Sequence, residues 1–221
     1  EKKQVGARYL IGDFRVFTLV LNALPQHTAF KAHKNFFQFG LLIEDECEQI
    51  AEDAYKEGKQ YAAMITSDTE LGQRASMAFE QQWRTLNGTV VGRVQANAQT
   101  DIHLALKTLL GIEASERRTQ ALETRLGEKI YSRPYRRADL DFILISVPTE
   151  IARQVKPTLA YYAANSLPVF STAHIHEIFE DPETQADLSG VRFIDAPFVL
   201  NRYEAARQKT LSALPNRSLA T

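Results

Sequence analysis

Three short runs concentrate the side chains that could hold a small polar molecule: Thr66-Ser67-Asp68-Thr69, Ser146-Val147-Pro148-Thr149 and Ser171-Thr172-Ala173-His174. Hydroxyls and free backbone N–H groups at the start of a helix bind carboxylates, phosphates and similar solutes. In an open α/β sheet, loops of this kind meet in the crevice outside the carboxyl ends of the strands. The candidate ligand-binding residues are therefore Ser67, Thr69, Ser146, Thr149, Ser171, Thr172 and His174. The same hydroxyls also suit helix caps and turns, and capping alone is the stronger of the two readings.

Other reactive groups are sparse. His174-x-His176 comes nearest to a metal pair, but no third ligand stands at a recognised spacing, and ordinary loop histidines are the plainer reading. His103 lies on a helix whose other faces are apolar, so it reads as a partly buried structural residue. Cys47 is the single cysteine, which rules out a disulfide within the chain, and its apolar helical face suits a packed, inert thiol. Gly-x-Gly-x-x-Gly and Gly-Lys-Ser/Thr phosphate loops are missing, as are Ser-x-x-Lys and Gly-x-Ser-x-Gly. The carboxylates are scattered, with no pair set apart as acid and base. These features assign no catalytic residue, no metal and no cofactor, and the chain is read as a non-enzyme.

Charge offers a different kind of site. Between positions 117 and 137, seven cations (Arg117, Arg118, Arg125, Lys129, Arg133, Arg136, Arg137) face only Glu123 and Glu128, a local excess of five. A solvated helix and loop is the ordinary explanation of such a run. The functional one is docking of an acidic partner, with Arg117, Arg118, Arg133, Arg136 and Arg137 as candidates. Over the whole chain the net charge is −1, which supplies no long-range field for nucleic acid or an anionic membrane.

The elements that must position these groups alternate between strand and helix. Apolar runs at 8–11, 17–21 and 36–39 read as strands, the first two buried. From Ile43 the period becomes helical, with Ile43, Cys47, Ile50, Ala51, Ala54 and Tyr55 on one stripe. Tyr61–Thr66 is a strand, and Ser67 with Glu70 has capping-box spacing for a helix to about Leu86. That helix buries Leu71, Ala75, Ala78, Phe79, Trp83 and Leu86. Asn87-Gly88 suits a left-handed stop, Thr89–Val94 is a strand, and Thr100 is the expected cap of a helix carrying Ile102, Leu106 and Leu109. The apolar run Phe142–Ile145 fits a strand covered on both faces. Pro148 falls in the first turn of a helix that turns Ile151, Ala152, Val155, Leu159 and Tyr162 inward, stepped at Pro157. Strands at 167–170 and 191–194 follow, with turns at Asp181-Pro182 and Ser189-Gly190 and a polar helix from Glu204. With 221 residues, 44% of them hydrophobic, the chain can bury a core as one domain or two small lobes. Strand-helix alternation places it in the α/β class. No window approaches the length of a membrane helix.

The ordered set of segments resembles a known family. Leu71-Gly72 after the capped strand, Arg-Arg-Ala-Asp-Leu-Asp-Phe-Ile at 136–143, Pro-Thr-Glu-Ile-Ala-Arg-Gln-Val-Lys-Pro at 148–157, Leu-Pro-Val-Phe-Ser-Thr-Ala-His at 167–174 and Leu-Ser-Gly-Val-Arg-Phe-Ile-Asp-Ala-Pro-Phe-Val-Leu at 188–200 look like the C-terminal domain of the LpoA family, also called LppC. Asn-Phe-Phe-Gln-Phe-Gly-Leu at 35–41 is similar to its approach to the first long helix. The resemblance implies a type I periplasmic-binding-protein-like fold of two Rossmann-like lobes with mostly parallel sheets. It implies a non-catalytic lipoprotein of the periplasm, anchored to the outer membrane through a lipid on a part outside this fragment. It also implies a class A penicillin-binding protein, the bifunctional peptidoglycan synthase, as the partner that is bound and activated, with peptidoglycan itself as a further contact. A periplasmic receptor for a small ligand is the alternative.

On this resemblance, residues 1–40 are a remnant of the first lobe and crossover. Residues 41–165 are the second lobe with an Arg-rich insert at 113–137, and 166–221 are a return to the first lobe and a tail. The family's N-terminal helical-repeat domain, lipidated cysteine and initial strand-helix unit have no counterpart here, so the chain is expected to be a fragment. Asp13–Val16 between two expected strands is also shorter than the dozen or so residues that a right-handed crossover needs, as in a truncated first lobe.

Overall fold

A computed structural model of the chain describes residues 17–20, 35–38, 42–175 and 186–195. The expected strand at 8–11, the turn at 181–182, His176 and the helix from Glu204 lie outside the described residues. The chain divides into two compact units, Glu1–Leu42 and Ile43–Thr221. In the first, strands β1 (Thr18–Val20) and β2 (Phe36–Gln38) pair in parallel, Thr18 opposite Phe36. Phe17, expected within a buried strand, is 76% exposed and stacks on the half-exposed Phe37 at 6.0 Å.

The second unit carries a five-stranded sheet, every neighbouring pair parallel: β3 (Tyr61–Ser67), β4 (Thr89–Ala96), β5 (Phe142–Ser146), β6 (Val169–Ser171) and β7 (Val191–Phe193), in the spatial order β4-β3-β5-β6-β7. The chain begins near the middle, steps outward to β4, then returns past β3 to build the other side. The order therefore reverses between β3 and β5, the switch point at which such sheets open a crevice. Strands β6 and β7, expected in the return to a first lobe, belong to this sheet because their backbones pair with β5 and with each other.

Helices cover both faces. Helix α1 (Ile43–Lys56) and helix α2 (Glu70–Thr85) bury Ile43, Cys47, Ile50, Phe79 and Trp83 against Ala62, Met64, Phe142, Leu144 and Phe170. Helices α3 (Ile102–Leu109), α4 (Ile112–Leu126) and α5 (Thr149–Tyr161) supply Ile102, Leu106, Ile112, Val155 and Leu159 against Ala63, Ile65, Ile143 and Ile145. Successive residues of β3 and β5 thus feed opposite cores, as side chains alternating across a strand must. On the α1/α2 side, Phe142 is the hub of an aromatic cluster, 6.1 Å from Phe79, 5.4 Å from Trp83 and 5.3 Å from Phe170. Tyr55 departs from the expected stripe at 52% exposure, since it sits in the last turn of α1, at the edge of the packed face.

Three helix starts differ from the sequence reading. Thr69, not Ser67, caps α2, its hydroxyl accepting from the Gly72 N–H at 3.3 Å, because β3 runs on through Ser67. Asp101 caps α3 by accepting from Leu104 N–H, while the Thr100 hydroxyl accepts from Asn97 N–H in the preceding turn. Pro148 is itself the cap of α5, extended at ψ 151° with its carbonyl accepting from Ile151 and Ala152. Helix α5 continues through Pro157. Asn87 closes α2 with φ +61°, as Asn-Gly suggests. No helix among the described residues is long and apolar enough to cross a membrane.

Candidate functional site

The three hydroxyl-rich runs do follow the carboxyl ends of β3, β5 and β6, and the structure shows what occupies them. Ser67 Oγ lies 2.7 Å from Thr69 Oγ1. Asp68 accepts from the Asn97 amide at 2.9 Å. The Thr172 hydroxyl donates to Ser146 Oγ at 3.3 Å, and the Ser171 hydroxyl donates to the Ile145 and Thr172 carbonyls. Thr149 donates to the His174 carbonyl at 3.1 Å, fastening the start of α5 to the loop after β6. Ser67, Ser146, Thr149, Ser171 and Thr172 are all buried. A buried hydroxyl must find a partner, and these find a neighbouring hydroxyl or a backbone carbonyl. His174 stays at the surface, and partial desolvation lowers its pKa.

Glu46 joins this end of the sheet without any mark in the sequence. Its position in the first turn of α1 favours a negative charge at the helix N-terminus, and its carboxylate accepts from Ala173 N–H at 2.8 Å. Burial raises its pKa against that bond, and Asp195 and Asp45 add repulsion. Only tertiary structure brings Glu46 to the loop after β6. Among the described residues, no group of three or more His, Cys, Asp and Glu stands close enough to hold a metal ion.

The arginine-rich segment occupies the other end of the sheet, before the amino end of β5. Helix α4 carries Arg117 and Arg118 into solvent and ends at Gly127, which adopts φ +70°. Residues 128–141 are irregular yet tied down at intervals. Ile130 N–H donates to Glu123, Tyr135 N–H to Ser115 Oγ, and Arg137 N–H to the Leu110 carbonyl. Asp141 accepts from Gln60 and Tyr61 N–H at 2.8 and 2.9 Å, pinning the segment to the start of β3. The five candidate arginines thereby separate. Arg137 forms a two-pronged pair with Asp139 and donates to the Val91 carbonyl, which makes it a strut. Arg136 is half-buried, with one N–H on the Arg137 carbonyl. Arg117, Arg118 and Arg133 are exposed, with no ion pair among the described residues.

Arg133 and Arg136 also line a cleft of about 730 Å³ with Pro134, Tyr135, Tyr161 and Tyr162. Tyr161 and Tyr162 meet edge to face at 5.1 Å, and the ring of His103 lies 4.9 and 4.8 Å from them. A 3.0 Å hydrogen bond joins the Tyr162 hydroxyl to His103 Nδ1. The cleft's carboxylate, Glu116, is 2.8 Å from Lys107 and so already compensated. Sequence reading missed Tyr161 because its inward neighbours fit one helical stripe and Tyr161 does not.

A parallel sheet that reverses order beside its middle strand, with helices on both faces, makes the second unit a doubly wound α/β layer, and solved structures of similar fold place it in the periplasmic-binding-protein-like class. One solved structure of similar fold, a "putative branched-chain amino acid ABC transporter" of Chromobacterium violaceum, superposes with a TM-score of 0.60 over 93% of this chain and 55% of that one, at 22% identity. The chain belongs to the family described as "LppC putative lipoprotein", whose model matches residues 12–221. The penicillin-binding protein activator LpoA of Photobacterium profundum is 24% identical over 229 residues, covering 98% of this chain and 35% of the relative. LpoA of Histophilus somni is 26% identical over 212 residues, covering 96% and 31%. The LpoA C-domain of Haemophilus influenzae, described as a regulator of PBP1A, superposes with a TM-score of 0.58 over 89% of this chain and 53% of that one, at 20% identity. This chain thus spans about a third of the length of the curated relatives it matches.

Proposed function

We propose that this chain is the non-catalytic regulatory domain of an outer-membrane lipoprotein that faces the periplasm, where it binds and activates a class A penicillin-binding protein. The observation that carries the reading is membership of a family whose curated relatives are named penicillin-binding protein activators. The geometry agrees with a role exercised through surfaces. At the carboxyl ends of β3, β5 and β6, most hydroxyls that a solute receptor would offer its ligand are bonded within the chain, Ser67 with Thr69, Thr172 with Ser146, and Thr149 and Ser171 with backbone carbonyls, and a hydroxyl already satisfied has little to gain from a ligand. Activation of an enzyme needs a docking face and no chemistry of the activator's own.

The test is binding of the purified chain to the periplasmic part of class A penicillin-binding proteins from the same organism by interferometry, with transglycosylase and transpeptidase rates followed in parallel. Saturable binding with faster crosslinking is expected. A folded sample that neither binds nor changes either rate would sink the reading.

A further inference from the structure

The cleft at the amino ends of β5 and β6 has the composition of a protein-binding hot spot. Tyr and Arg are enriched where partners dock because they combine large contact area with polar tips. Here Tyr161 is 73% exposed and Tyr135 78%, and both line the cleft. Large exposed aromatics gathered in one place mark interaction surfaces. Tyr161 is backed by the rings of Tyr162 and His103, which a hydrogen bond joins to each other. An aromatic anchor backed in this way loses less conformational entropy on binding.

Charge selects the occupant. Arg133 and Arg136 line the cleft without a carboxylate partner among the described residues, Glu116 is taken by Lys107, and Arg137 is taken by Asp139. A neutral partner would offer the two guanidiniums only uncharged acceptors, whereas a carboxylate would meet them with charge-assisted, two-pronged bonds. The cleft lies at the opposite end of the strands from the switch-point crevice, so it can be occupied whatever happens there.

Resting on the activator reading above, we propose that the Arg133–Tyr135–Tyr161 cleft is the docking surface for the synthase, and that it takes an acidic segment of the synthase's periplasmic part. The experiment immobilises that periplasmic part and measures binding of the wild-type chain, the double variant Arg133→Glu/Arg136→Glu, Tyr161→Ala, Tyr161→Phe, and Arg84→Glu on the exposed side of α2. Each variant is checked for an unchanged circular dichroism spectrum, and capture of the same proteins by purified peptidoglycan sacculi is run alongside. Expected are at least a tenfold loss of affinity for the double variant and for Tyr161→Ala, and values within about threefold of wild type for Tyr161→Phe and Arg84→Glu. Wild-type binding should weaken with added salt, and the double variant should respond less. Wild-type affinity in both cleft variants would overturn the cleft and leave the activator reading standing. No binding by the wild-type chain would remove both. Loss of sacculus capture with synthase binding intact would make the cleft a wall-binding site and overturn the proposed occupant.

Discussion

Single residues in this chain are defined mainly by their partners. The Arg74 guanidinium meets Glu44 with two bonds of 2.7 and 2.8 Å, tying the first turn of α1 to α2. Those bonds hold the Glu44 carboxyl below the usual carboxylate range, against a smaller opposing effect of burial. A carboxyl whose folded pKa is depressed adds stability above its unfolded pKa of about 4.3 and loses it as pH falls through the folded value. Arg74→Ala should cost about 1 kcal/mol near pH 7, since the pair is partly solvated. The difference from wild type should shrink in urea unfolding as pH falls, and vanish once the pH is below the depressed folded pKa, where Glu44 is protonated in both states. Equal destabilisation at both pH values would show that packing, and not the ion pair, carries the effect. Cys47 bears out the expectation of a packed thiol: it is fully buried, and burial raises its pKa. It should react with a thiol reagent only on the timescale of unfolding.

At the scale of elements, the turn from β3 to α2 shows how a capping hydroxyl and a close backbone approach work together. A methyl group on Gly72 would sit 2.1 Å from the Ser67 carbonyl oxygen, in a turn that Thr69 fixes by bonding to both. Backbone cannot yield as a side-chain tip can, so Gly72→Ala should cost roughly 2–4 kcal/mol, read as a lower denaturant midpoint with an unchanged slope. The irregular stretch 128–141 makes the complementary point. Asp141 accepts two backbone N–H groups at the start of β3, and Asp141→Ala should cost about 0.5–1.5 kcal/mol, the net worth of such bonds where water can reach the freed donors. A loss under 0.5 kcal/mol would mean water replaces the carboxylate at no cost.

For the whole molecule, the two ends of the sheet of the second unit have different character. The carboxyl end is knitted by buried hydroxyls, and the amino end presents arginine and tyrosine. A ligand that binds only the folded state at a hundred times its Kd would add about 2.7 kcal/mol and raise the melting temperature by several degrees. A panel of amino acids at millimolar concentration should therefore shift it by less than about 1 °C. A reproducible larger shift by one of them would favour the small-ligand receptor.

What the sequence by itself determined is what depends on neighbours along the chain. Periodicity located α1, α2 and α5, the run Phe142–Ile145 announced a strand buried on both faces, and Asn87-Gly88 marked a stop, because each is a property of a few consecutive residues. It also located the three hydroxyl runs and the arginine excess. Only the tertiary structure decided that the buried hydroxyls are satisfied by each other and by backbone carbonyls, that Glu46 reaches Ala173, that Arg137 is a strut, and that Arg133 shares a cleft with Tyr161. Those facts depend on strand order and loop path. These are set by burial summed over the whole sheet, and a hydroxyl or guanidinium reads the same in sequence whether its partner is a cap, a neighbouring loop or another molecule.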